Sequence, residues 1–116
     1  MFTELLEYIY KNKLFVDKLY HSLYSQFTTR FLEQIVVNYI RSVLVKINGT
    51  SKEENHKYDS IIDNIADFYT YAIVGRLSEW IDKGMKEPVD KLAYNLATIM
   101  EGTLENTMQC FMTLEK

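Results

Sequence analysis

The stretch FYTYAIVGRLSEWIDKGMKEP, residues 68–88, decides how the chain folds. Tyr69, Ile73, Leu77 and Trp80 recur at steps of four, four and three, which places them on one face of an α-helix. Gly75 interrupts that helix without ending it. A glycine there weakens a helix by about 1 kcal/mol relative to alanine, and close approach of another backbone is a reason to keep one. Gly84 fits the left-handed residue just past a helix C-terminus, with Lys83 in the last turn beside the partial negative charge of the helix end. Met85 is expected to fold back on the preceding turn. Pro88 suits the first position of a new helix, where its missing N–H is of no consequence. The expected result is a long helix, a short elbow and a helix returning alongside the first.

Working outward, the periodicity predicts a helix from Tyr58 to Lys83 and another from Pro88 to about Met112. In the first, Asp59 and Asp63 sit near the N-terminus, where negative charge is favoured. Ile61, Ile65, Phe68, Tyr69, Ala72, Ile73, Leu77 and Trp80 cover roughly half its circumference, more than one neighbour requires. Half of that face is expected on its own core and half on a partner. The last helix carries a stripe of Val89, Leu92, Ala93, Leu96, Ile99, Met100, Leu104 and Phe111. Its small residues Ala93 and Ala97 permit close packing, and Gly102–Thr103 marks a kink or an end.

Upstream, residues 25–47 are apolar almost all round, with Phe31, Ile35, Tyr39 and Val43 in one row and Leu32, Val36, Ile40 and Ile47 in the next. Such a helix is expected at the centre of the domain. Its polar strip of Arg30, Gln34, Asn38, Arg41 and Ser42 is either a solvent edge or, at Gln34 and Asn38, the wall of a cavity. Two short helices open the chain, one over 3–11 capped by Thr3 and one from Lys13 to about Tyr24, with a break at Asn12. The lysines Lys11, Lys13 and Lys18 read as a solvated face rather than a phosphate site. Residues 48–57, NGTSKEENHK, form the clearest loop. No period-two alternation occurs, so the fold class is all-α, a bundle of about five helices.

At 116 residues, 47% hydrophobic and 25% charged, the chain is expected to form one domain over residues 1–116. A net charge of −3 argues against nonspecific DNA or anionic-membrane binding by the chain alone. A single cysteine, Cys110, excludes an intrachain disulfide and fits a reducing compartment. With no leader and no membrane-length apolar run, the expected location is cytoplasmic.

Chemistry is sparse. The sequence holds no Gly-rich phosphate loop, no nucleophile-elbow serine and no zinc spacing, so an enzyme is not expected, nor a cofactor. Glu53 and His56 make one E-x-x-H, but a di-iron bundle needs a second such motif and two more glutamates, so no metal is expected. Asn48-Gly49-Thr50 matches a glycosylation acceptor that a cytoplasmic protein does not use. Arg76 falls inside the apolar arc of its helix. It either pairs with Glu79 or Asp82, edges a subunit interface, or anchors a polar ligand. Phe31, Tyr39, Tyr69 and Trp80 are equally open between core and pocket lining.

Phe68, Ala72, Gly75, Trp80, Gly84, Met85, Pro88 and Leu92 form a pattern that resembles the C-terminal domain of TetR-type transcriptional regulators. It is most similar to the Firmicutes-type subgroup that includes regulators of dihydroxyacetone-kinase operons. The opening LLEYIYKNKLFVDKL resembles the first helices after the DNA-reading module of that group. The resemblance implies an orthogonal helical bundle whose last two helices form a four-helix dimer seam, with Gly75, Trp80, Ala93, Leu96, Ala97 and Met100 at the interface. It implies a small-molecule effector pocket among the middle helices, to which Phe31, Gln34, Tyr39, Tyr69 and Arg76 are assigned. The N-terminal helix-turn-helix of the intact family is not in this sequence, so DNA would be contacted only through that missing module, and Met1 is expected to mark a cut. The leading expectation is an effector-sensing and dimerisation domain, homodimeric, with a possible protein co-regulator. The alternative is a structural interaction module with no small-molecule ligand.

Overall fold

The computed structural model describes residues 2–23, 25–48 and 59–114. Among them are five helices and no strand: α1 (Phe2–Lys11), α2 (Lys13–Tyr20), α3 (Ser25–Asn48), α4 (Asp59–Asp82) and α5 (Val89–Leu114). The all-α expectation holds. The expected loop over 48–57, with Glu53 and His56, lies outside the described residues from 49 onward.

Each long helix buries one row at helical spacing. In α3 it is Leu32, Val36, Ile40 and Leu44, in α4 it runs from Ile62 to Ile81, and in α5 it is Leu92, Leu96, Met100, Leu104 and Met108. α1 adds Phe2, Leu6 and Ile9. The α3 row packs chiefly on α4, α1 lies on α5, and α2 bridges α3 and α4. The single core therefore runs from Phe2 to Met108. The molecule measures 49 × 28 × 20 Å and has a radius of gyration of 15.9 Å, against about 13 Å for a compact chain of this length. Elongation leaves more apolar surface uncovered than a sphere would.

Three expectations are corrected. α3 is not buried on most sides: Phe31 is 66% exposed, and Ile35, Tyr39 and Val43 are half-buried. The α2 helix stops at Tyr20 rather than Tyr24: the His21 amide still reaches Asp17 four residues back, but the Ser22 amide tightens to the Leu19 carbonyl three residues back. No α2 residue is buried, and Leu14 and Phe15 face outward. α5 passes through Gly102 without ending. Met100, Leu104 and Met108 anchor it on both sides of the glycine, so packing overrides the weak local propensity.

The elbow is a Schellman motif. The Met85 amide donates to the Trp80 carbonyl at 2.8 Å and the Gly84 amide to the Ile81 carbonyl at 3.0 Å. Gly84 has φ 84°, where its missing Cβ removes the left-handed penalty. Met85 also has a positive φ, 56°, and its side chain is buried. The core contact of that side chain offsets the backbone strain.

Candidate functional site

Two side chains of α4 reach over the elbow. The Trp80 indole N–H donates to the Glu87 carbonyl at 2.9 Å, and the Arg76 guanidinium meets the Glu87 carboxylate at 2.7 Å. Glu79 extends the network to Arg76 at 3.5 Å and to Lys83 at 3.6 Å. Of the readings open for Arg76, the geometry gives an ion pair, with Glu87 as the close partner. Asp82 is engaged elsewhere, by His21.

Beyond that clasp, α4 and α5 diverge enough to leave a groove of about 640 Å³. Phe68, Ala72, Ile73 and Arg76 line it from α4, and Leu92, Leu96, Ile99 and Met100 from α5. Leu96 and Met100 are buried and form its floor, while Phe68 and Ile99 stand 73% and 62% exposed on its rims. Tyr69 crosses it: its hydroxyl donates to Thr103 Oγ1 at 2.8 Å and lies 3.3 Å from Thr107 Oγ1. Both threonines donate their own protons to carbonyls one turn back, so Thr103 Oγ1 is free to accept. Gly75 is exposed on the same helix, and a Cβ added there meets nothing within 4 Å. Within one protomer, no backbone approaches it.

The six residues expected at a subunit seam thus divide. Gly75 opens to the surface and Ala97 is half-buried, whereas Ala93, Leu96 and Met100 are buried in the protomer. Trp80 is 2% exposed and fully committed to its own core and elbow. Phe68 and Ala72 on α4 and Ile99 on α5 are exposed, unlike Trp80. Sequence periodicity could not rank positions on a face that is apolar on two sides.

The five residues assigned to an effector pocket do not share one cavity. Tyr69 and Arg76 line the α4–α5 groove. Tyr39 lines a depression of about 460 Å³ between α1, α3 and α5. Phe31 lines a third, of about 490 Å³, between α1, α2 and α3. Gln34 is exposed, as is Asn38 one turn away, so this polar strip is a solvent edge.

His21 was not singled out by the sequence as functional. Its Nδ1 lies 2.9 Å from the Asp17 carbonyl oxygen and its Nε2 3.1 Å from Asp82 Oδ1, tying the end of α2 to the end of α4. Both partners only accept, so both contacts are satisfied by the imidazolium alone. The Asp17 carbonyl, then the Asp82 carboxylate, raise its pKa above the ordinary 6.5. Asp82 lies 61 residues from His21 in sequence, a pairing no local pattern reveals.

Among the described residues, no helix is long and apolar enough to cross a membrane. A family described as "Transcriptional regulator C-terminal region", of TetR type, matches residues 1–102. No curated protein and no solved structure matches the chain.

Proposed function

The chain belongs to the TetR-type family of transcriptional-regulator C-terminal regions, and from that premise we propose that it pairs with a second copy through α4 and α5 and senses a small-molecule effector. The observation that carries the pairing is the α4–α5 groove. It presents Phe68, Ala72 and Ile99 to solvent over a buried apolar floor, beside an open Gly75. Two helices about 36 Å long lying side by side, roughly 20 Å across, give a footprint of about 700 Å². That is close to the ~800 Å² per partner of a standard interface. A second copy laying the same helices across the groove would complete a four-helix arrangement and cover the rims.

Effector binding would act by population shift. A ligand changes the spacing of two DNA-reading heads, supplied outside these residues, only through its different affinity for the two spacings. The narrower likeness to regulators of dihydroxyacetone-kinase operons rests on the Phe68–Leu92 pattern and on the opening LLEYIYKNKLFVDKL. Three outward apolar residues, Tyr8, Phe15 and Phe31, line one depression and favour the second reading, a module that engages a partner protein there.

The test is the mass in solution. Light scattering at micromolar concentration is expected to give twice 13.7 kDa for the native chain and 13.7 kDa for Ile99→Lys. Gly75→Ala is expected to weaken the dimer, because the new methyl group meets open space in one protomer but a neighbour in two. A monomeric native chain at that concentration overturns the pairing.

A further inference from the structure

We infer that the depression between α1, α3 and α5 binds a lipophilic organic cation, an inference that rests on the effector-sensing reading and names the chemical class of the effector. Its floor is apolar. Val43 of α3 and Ala93, Ala97, Met100 and Leu104 of α5 surround a volume of about 460 Å³, within the range of small-molecule sites. The two alanines make the space, since larger residues at those adjacent turns would fill it.

Two aromatic rings close one side. Phe2 and Tyr39 meet edge to face, with centroids 5.9 Å apart and planes at 70°. Phe2 is buried and fixed, and Tyr39 is half-buried, so the pair is rigid on one flank and accessible on the other. Ring faces are electron-rich and attract a cation that sheds water on entering.

The other side is charged with one sign. Glu101 and Glu105 stand one helical turn apart on α5 and line the same depression. No lysine, arginine or histidine lines it. Among the described residues, neither carboxylate is engaged in an ion pair or hydrogen bond. The other depressions differ on this point. The α4–α5 groove holds Arg76, already matched by Glu87, and the Phe31 depression has no charged residue in its lining. Arg41 and Asp63 neutralise each other at 3.0 Å in the small α3–α4 hollow. Only here does an apolar, aromatic cavity among these carry uncompensated charge. An anion is repelled by both carboxylates, and a neutral molecule leaves them unmatched. A hydrophobic cation satisfies the floor, the rings and the glutamates together.

The probe is tetraphenylphosphonium, compared with triphenylphosphine oxide, a neutral molecule with similar rings. Calorimetric titration of the 116-residue chain is expected to show saturable binding of the cation and at least tenfold weaker binding of the oxide. The Glu101→Gln/Glu105→Gln double variant, altered only at exposed positions, is expected to lose at least tenfold for the cation and less than twofold for the oxide. Unaltered circular dichroism shows that the variant is folded. Raised salt is expected to weaken the cation alone. Equal binding of both probes, or cation affinity unchanged in the variant, overturns the inference. A thermal-shift screen with neutral and anionic molecules separates the two levels. Stabilisation there without cation binding overturns the cation class and leaves effector sensing intact. Silence from every class overturns both.

Discussion

Replacing Trp80 by alanine removes the residue on which the elbow closes. The side chain is 2% exposed, and truncating a buried tryptophan costs about 3–5 kcal/mol through lost transfer energy and the cavity left behind. The lost indole hydrogen bond to the Glu87 carbonyl adds less, because Glu87 is half-buried and water can replace the donor. Total stability for a domain of this size is about 5–15 kcal/mol, so the variant forfeits about a fifth or more of it. With a urea m-value of about 2 kcal/mol per molar, the midpoint should fall by about 2 M. Urea denaturation followed by far-ultraviolet circular dichroism, at one fixed protein concentration for native and variant, measures it. Fixing the concentration matters because the proposed subunit association would add to apparent stability. Trp80→Phe keeps most of the burial and isolates the hydrogen bond, with an expected loss of about 1–2 kcal/mol. A Trp80→Ala loss below 1 kcal/mol would refute the placement of this ring in the core.

Other perturbations read separate parts of the structure. Gly84→Ala forces a Cβ into a left-handed residue at φ 84° and should cost about 1–2 kcal/mol by the same denaturation assay, and an unchanged midpoint would exclude that backbone. His21 has a folded pKa raised above 6.5, so its stabilising contribution is complete below 6.5 and is lost as pH rises through the folded value. Proton NMR titration should place its midpoint above 6.5, and Asp82→Asn should lower it. A His21 midpoint unaffected by that substitution would remove the tie between α2 and α4.

The residues that announced the fold were those whose chemistry is local. Gly84, Lys83 and Pro88 mark a helix end and restart whatever lies around them, and the elbow stands where they place it. Gly102 does not end its helix, for the complementary reason. Its propensity is local, but the anchoring of α5 by Met100, Leu104 and Met108 is tertiary. Arg76 was visible as an anomaly, whereas its close partner Glu87 lies eleven residues on, across the elbow and beyond helical spacing. The assigned pocket residues fared differently because aromatic and polar side chains on three helices can face three separate hollows. Tyr39 and Tyr69 each reached a hollow, and nothing in their spacing says that these lie on opposite flanks of α5.

The clasp on Glu87 has a mechanical meaning for a regulator. Trp80 grips the Glu87 main chain and Arg76 its side chain, so the connection between α4 and α5 is held at two points by the helix that precedes it. A connection held this way resists bending. On the proposed effector reading, the two helices would move together, and a ligand seated against one flank of α5 would tilt both. Displacement at the ligand would then reach a paired copy as a joint rotation of the two helices, with bending at the elbow opposed by the two contacts on Glu87.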